Sequence, residues 1–308
     1  MIWRGGKPVN LNNLGIFVQV AEKMNMTEAS KALFISQPAV SKAIQNLEAS
    51  LQIRLFLRDK HNGLLLTEEG REILVLARQM KAIEASIYQI AGKANRLLSG
   101  KLKIGSFPAA SAILLPQAIA AFRSEYPLVK IELIEGTSSQ IKEWVENRTI
   151  ELGIVTTPFE PYESETLSRD HMVAIVPDDH PLADEAVIDL KERRAEIIFC
   201  KGGHEIAVSA ILREQGIELQ ESLTVQTAET LVRMVRSRLG IGLISSFTLS
   251  SVTHELAVKE IRPAIARKIG VIAHSFGELA PAAKQFLRFL TPAGNQTPGD
   301  PADEAASP

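Results

Sequence analysis

The sequence is poor in cysteine, with Cys200 the one thiol among 308 residues. A lone cysteine excludes an internal disulfide and any zinc site built on several thiolates. No apolar run reaches the ~18 residues that a membrane span requires. Met1–Asn10 is short and polar and lacks the apolar core of a secretion signal. A cytosolic protein that does not enter membranes is the expectation. Catalytic signatures are also missing: there is no Gly-x-Ser-x-Gly elbow and no His-Glu-x-x-His pair. Gly240-Ile-Gly242 is half of a dinucleotide fingerprint and leads into a strand pattern instead of opening a helix. The six histidines are scattered, and His180 before Pro181 reads as structural.

What is present points to a globular chain of about two domains. Hydrophobic residues make up 45% and charged residues 23%, ordinary values for a water-exposed fold with a packed core. The net charge of −2 hides an asymmetry. Residues 1–66 hold eight Lys/Arg and four Asp/Glu, a net of +4, which leaves −6 for the remainder. A basic end on an acidic body suits a protein that meets polyphosphate at that end only. Ordinary variation in surface charge would look the same, so charge alone decides nothing.

Three short amphipathic helices open the chain. Leu11, Leu14, Phe17, Val18 and Ala21 form a helical stripe. Thr27 is the expected N-cap of a second helix that buries Ala29, Ala32 and Leu33. Ser36 caps a third, with Pro38 in its first turn, where a missing N–H costs little. The tight joint around Phe34–Ser36 makes the second and third helices a helix-turn-helix candidate. On the third, Val40, Ile44, Leu47 and Leu51 line one side, while Gln37, Ser41, Lys42 and Gln45 lie on the other. That polar side has the hydroxyl, amide and cationic groups that address base edges and phosphates in a major groove.

Ile53–Leu66 places apolar runs around His61-Asn62-Gly63, a hairpin signal. Arg54, Arg58 and Lys60 sit on or beside it, as in a wing resting on DNA backbone. Thr67 then caps a long helix expected to reach about Leu98. Its apolar residues Ile73, Leu76, Met80, Ile83, Ile87, Ile90, Ala94 and Leu97 alternate in threes and fours. Such a narrow seam predicts a coiled-coil homodimer and so a two-fold-related DNA site.

Beyond Ser99-Gly100 the pattern alternates strand and helix, which implies a parallel sheet with right-handed crossovers. Strands are expected at 101–106, 130–135, 150–156, 172–176, 197–201, 242–245 and 268–274. Helices are expected at 110–126, 138–147, 205–215, 228–237 and 280–290. The Pro/Gly/Ala/Asp-rich stretch 292–308 reads as a disordered tail.

The run from Thr27 to Glu48, TEASKALFISQPAVSKAIQNLE, resembles the DNA-binding segment of LysR-type transcriptional regulators. Arg54-Leu-Phe-Leu-Arg58 and Leu66-Thr-Glu-Glu-Gly70 continue the likeness through the wing into the linker helix. Val176–Ala183 and Leu239–Ser245 resemble signatures of that family's effector domain, and the likeness covers residues 11 to about 290. It implies an α+β chain with four parts: a mostly α winged helix-turn-helix at 1–66, a linker helix at 67–98, an effector domain at 99–291 and the tail. The effector domain would be α/β and two-lobed, like periplasmic binding proteins. One lobe takes about 99–161 with 267–291, and the other about 162–266. The resemblance further implies a homodimer or homotetramer on promoter DNA with an interrupted dyad, a small-molecule effector (commonly an organic anion), no other cofactor, and room for contact with RNA polymerase. DNA-reading positions carry over to Thr27, Ser36, Gln37, Pro38, Ser41 and Lys42, with Arg54 and Arg58 in the wing, and Gln45 shares the groove-facing side. Two departures stand out. Gln52 replaces a usual Gly at the end of the third helix, and Leu57 replaces a common Glu in the wing.

An effector cleft is expected at strand ends, where such folds bind ligands. Its candidates are Ser106, Phe107, Ser111, Thr156 and Thr157 from the first lobe, and Lys201, Gly202, Gly203 and Thr227 from the second. Taken singly, each hydroxyl is as well explained as a local helix cap. Cys200 at a strand end reads as a small buried hydrophobe, with a redox sensor as the other reading. The rival functions are a solute-binding protein, since the C-terminal half is similar to one, and an enzyme on that fold. The absent export signal and the attached helix-turn-helix weigh against the first, and the absent motifs against the second.

Overall fold

The computed structural model describes residues 9–59, 63–94, 98–200, 205–218 and 223–290. They form two compact units that part between Ala91 and Gly92.

The first unit packs α1 (Leu11–Lys23), α2 (Met26–Leu33) and α3 (Gln37–Leu51) around Phe17, Val40, Ile44 and Leu47. Asn25, not Thr27, caps α2: its side chain accepts the N–H groups of Thr27 and Glu28. An Asn at that place satisfies two otherwise orphaned donors, which leaves Thr27 inside the first turn. On α2, Ala29 and Ser30 are buried and Leu33 half-buried, whereas Ala32 is exposed. Phe34 takes a left-handed conformation (φ 55°) and closes α2 through Lys31 and Ser30 carbonyls. Ser36 caps α3 by accepting from Ala39 N–H. Gln52 itself adopts the left-handed geometry (φ 59°) at the end of α3, which glycine would take at less cost.

A hairpin follows, β1 (Phe56–Asp59) against β2 (Gly63–Leu66), in register from Phe56↔Leu66 to Asp59↔Gly63. Its expected Lys60 and turn residues His61-Asn62 lie outside the described residues. The helix α4 (Glu68–Ala94) begins with Thr67 accepting the Gly70 N–H at 2.8 Å, and Glu68 and Glu69 suit its positive end. Ile73 half-buries in the first unit's core, but Leu76, Met80, Ile83, Ile87 and Ile90 are exposed. The end of the expected seam at Leu97 falls outside the described residues, which follow α4 as far as Ala94.

The second unit is a two-lobed α/β body. In its first lobe run β3 (Gly100–Ser106), α5 (Pro108–Ile113), α6 (Leu115–Glu125), β4 (Val129–Glu135), α7 (Ser138–Glu146) and β5 (Leu152–Thr156). β3 pairs in parallel with β4 and β5. The expected single helix over 110–126 is two, broken at Leu114, because Pro116 lacks the N–H that a continuous helix would use. The strand β6 (Glu163–Val176) is far longer than the expected 172–176. Its first half is polar, and backbone pairing with a returning strand holds it rather than apolar burial.

The second lobe adds β7 (Val187–Asp189), α8 (Leu190–Arg193), β8 (Ile197–Cys200), α9 (Glu205–Glu214), β9 (Leu223–Val225), α10 (Ala228–Arg236), β10 (Ile241–Ser245), α11 (Ser246–Leu249) and β11 (Ala257–Arg262). β12 (Ala266–Ala273) and α12 (Pro281–Leu290) return to the first lobe. One path of strands, β4-β3-β5-β12-β6-β10-β8-β9, joins both lobes, with β11 beside β6 and β7 beside β11. The expected parallel pairing holds within each lobe. The strands that cross between lobes, β6 and β12, pair antiparallel. Side chains of the second half of β6 alternate between two apolar cores, Met172, Ala174 and Val176 in one and Val173 and Ile175 in the other. Cys200 is buried in the second of these. The expected tail at 292–308 lies outside the described residues.

Candidate DNA-binding face and effector cleft

α3 buries Val40, Ala43, Ile44 and Leu47 and turns its other side to solvent. Ser36, Gln37, Pro38, Lys42 and Gln45 are exposed and Ser41 is half-buried; Thr27, in the first turn of α2, is exposed as well. Lys42 and Gln45 have no hydrogen-bond or ion-pair partner among the described residues, which leaves a cation and an amide uncommitted. Arg54 and Arg58 are exposed on the hairpin. A residue that sequence reasoning did not weigh fixes the hairpin to α3. The Glu48 carboxylate accepts Leu55 N–H at 2.8 Å and Phe56 N–H at 3.4 Å, and approaches Arg54 at 3.7 Å. Charge-assisted bonds to backbone donors hold the wing in one place relative to the helix.

In the second unit, Ser106 and Thr156 end two adjacent parallel strands and both are buried. The Ser106 hydroxyl bonds the Phe107 carbonyl at 3.2 Å, and Phe107 leads into α5. The Ser111 hydroxyl on α5 is buried without a partner among the described residues. Thr156 meets the Ser138 hydroxyl at 3.4 Å. Two candidates find local employment instead. The Thr157 hydroxyl accepts Lys268 N–H at 3.2 Å and so ties β5 to β12. Thr227 caps α10, accepting Thr230 N–H at 3.2 Å. Lys201, Gly202 and Gly203 lie outside the described residues.

Two charged residues that the sequence reading passed over lie where the lobes join. Asp170 on β6 and Arg267 on β12 are direct partners across the strands and both are buried. Arg267 Nε donates to Asp170 Oδ2 at 2.6 Å. Asp170 also accepts from the hydroxyls of Ser245 (2.8 Å) and Ser246 (3.1 Å) and from Phe247 N–H (3.0 Å). Burial opposes its charge, but the Arg267 guanidinium and these donors outweigh burial and hold the carboxyl below its usual range. Phe247 packs edge-on against Phe107 at 6.1 Å, which connects this pair to the first-lobe candidates. Arg169, His171 and Lys268 are exposed along an open groove of about 1150 Å³ that Asp170 and Arg267 also line.

A domain described as "LysR substrate binding domain" matches residues 95–294, and one described as "Bacterial regulatory helix-turn-helix protein, lysR family" matches residues 11–71. The chain belongs to the LysR family. Its LysR-type relatives include the helix-turn-helix transcriptional regulator YoaU of Bacillus subtilis, 61% identical over 92% of this chain and 98% of that one. Another is the transcriptional dual regulator GltC of Bacillus subtilis, 32% identical over 92% of this chain and 96% of the relative. Among solved structures, a full-length OxyR variant from Pseudomonas aeruginosa shares the fold with a TM-score of 0.72 at 20% identity, covering 92% of this chain and 94% of that one. Full-length CbnR complexed with its target DNA has a TM-score of 0.59 at 22% identity over 92% and 99%. This LysR-type protein is therefore a DNA-binding transcriptional regulator with a small-molecule-binding domain, and it is not an enzyme. No helix among its described residues is long and apolar enough to cross a membrane.

Proposed function

We propose that this regulator reads promoter DNA with the polar side of α3 and grips the backbone with its wing. Thr27, Ser36, Gln37, Pro38, Ser41, Lys42 and Gln45 face the groove; Arg54 and Arg58 contact phosphates. The uncommitted Lys42 and Gln45 on an α3 whose other side is fully buried carry this reading. Copies pair through the exposed seam of α4 into a homodimer, and two dimers form a tetramer on an interrupted dyad. A small organic anion in the cleft marked by Ser106, Phe107, Ser111 and Thr156 changes the bend of the bound DNA, in the cytoplasm and within reach of RNA polymerase.

The test is nuclease footprinting on the intergenic region beside the regulator's own gene, because relatives of this family often control a divergently transcribed neighbour. Replacing both Ser41 and Lys42 with Ala removes base and phosphate contacts worth about 1–3 kcal/mol each. Protection is expected to vanish while the circular dichroism and melting temperature stay unchanged. Unaltered protection would remove α3 from the DNA interface.

A further inference from the structure

The turn of the helix-turn-helix carries an aromatic ring that the free protein does not use. Phe34 is 95% exposed, the most of any large hydrophobic side chain among the described residues. It belongs neither to the core of the first unit nor to the half-buried side chains packed on that core. Its backbone is awkward as well. Phe34 ends α2 at φ 55°, in the left-handed region, with its N–H on the Lys31 and Ser30 carbonyls. Glycine takes that conformation freely, and a residue with a Cβ does not. A phenylalanine here is strained in the backbone and recovers nothing by burial.

The surroundings show what the ring can meet. Every residue from Phe34 to Ala39 is exposed, so the turn and the first turn of α3 make one continuous surface. The N-terminal residues of a recognition helix are the ones that reach base edges in the major groove. Phe34 stands three residues before Gln37, which puts their Cα atoms at most about 11 Å apart. That is within the ~12 Å width of the groove.

A phenyl ring gains little from phosphate oxygens. The apolar groups of duplex DNA within its reach are the thymine 5-methyls, which stand in the major groove, and the deoxyribose carbons that border it. The turn joins α3 at its base-reading end, which favours the methyl over the sugar. The polar groups of α3, from Gln37 to Gln45, address hydrogen-bonding edges and leave that apolar feature unread.

We infer that the Phe34 ring packs on a thymine 5-methyl group in each half-site and makes the regulator select thymine there. The inference rests on the reading that α3 lies in the major groove. On DNA the ring is covered and the strained turn has its use; off DNA neither holds.

Duplexes selected from a random pool by the full chain supply the site for the test. Fluorescence anisotropy then compares the parent with Phe34→Gly. The variant should bind these duplexes about fivefold or more weakly. Its urea midpoint should equal or exceed the parent's, because glycine relieves the left-handed turn. Affinity and midpoint falling together would assign the ring a packing role and overturn the inference. A ring on a methyl releases no counterions, so the slope of affinity against salt should stay the same. Replacing the selected thymines one at a time with deoxyuridine removes only the methyl. At one position of each half-site this should weaken the parent and leave Phe34→Gly unaffected. Parent-like affinity of the variant, or no position at which the two proteins differ, overturns the inference. So does a smaller oligomer mass of the variant in sedimentation, which would place the ring between protein copies. The doubly substituted Ser41→Ala, Lys42→Ala protein separates the two claims. If it loses the selected duplexes while Phe34→Gly does not, α3 stays in the groove and the role of Phe34 falls; if neither loses them, the groove reading falls as well.

Discussion

At Gly70 an added Cβ would overlap the carbonyl oxygen of Leu55 and stand 2.9 Å from the Thr67 hydroxyl. That carbonyl already accepts Thr67 N–H at 3.0 Å, so the first turn of α4 is pressed onto the start of the wing and only glycine fits. Helix propensity alone would favour Gly70→Ala by about 1 kcal/mol. The opposite is expected: crowding against a fixed carbonyl should destabilise the first unit by roughly 1–3 kcal/mol. Urea unfolding of the variant is the measurement, and a midpoint equal to or above that of the parent would show that α4 can shift freely. The same scale explains which site residues could be read from the chain. Ser36, Gln37 and Lys42 are legible because helical period alone puts them opposite Val40 and Ile44. Asp170 and Arg267 are 97 residues apart, and only strand pairing makes them neighbours.

Among the elements, α4 carries the clearest unmet demand. Leu76, Met80, Ile83, Ile87 and Ile90 are between 43% and 62% exposed, a row of large apolar side chains that a solitary helix would not keep in water. Their three-four spacing fits a second copy of the same helix. Replacing Ile83 and Ile87 with Glu keeps helix propensity and places like charges across the seam. Sedimentation equilibrium should then give the mass of one chain where the parent gives two or more; an undiminished mass would move the interface elsewhere. DNA affinity should fall with the dimer, since each copy brings its own α3 to the groove. The first half of β6 teaches the contrary lesson. Glu163–His171 has no apolar alternation, so nothing local announces a strand, and among the described residues its strand pairing comes from β12.

For the molecule as a whole, acid and base report on the effector domain through Glu151, at the edge of β5. Burial raises its carboxyl to about 7, against which the Lys103 N–H donating to it at 3.2 Å pulls the other way. A carboxyl whose pKa is raised by folding holds its proton longer in the native state than in the unfolded chain. Stability should therefore fall as pH rises from about 4.5 to about 7 and level off above that, with a slope of at most ~1.4 kcal/mol per pH unit from this group. Glu151→Gln keeps an acceptor for Lys103 and removes the titration. Denaturant midpoints across that range should lose this portion of their pH dependence in the variant; an identical slope in both proteins would assign it to other groups.

Local pattern by itself determined the helix-turn-helix, the hairpin, the long helix with its apolar row and the alternation of strands and helices, because period and capping act over a few residues and need no partner. Capping still misled at Thr27, where Asn25 caps the helix two residues earlier by accepting from Thr27 and Glu28 N–H, and periodicity ran through Leu114 without registering what Pro116 removes. Only the tertiary structure decided which hydroxyls stay available and which are consumed, as with Thr157 by Lys268 and Thr227 by Thr230. It also brought a buried ion pair to the junction of the lobes. Contacts between distant strands depend on register and on which face each side chain takes, and those are set by pairing across the whole sheet.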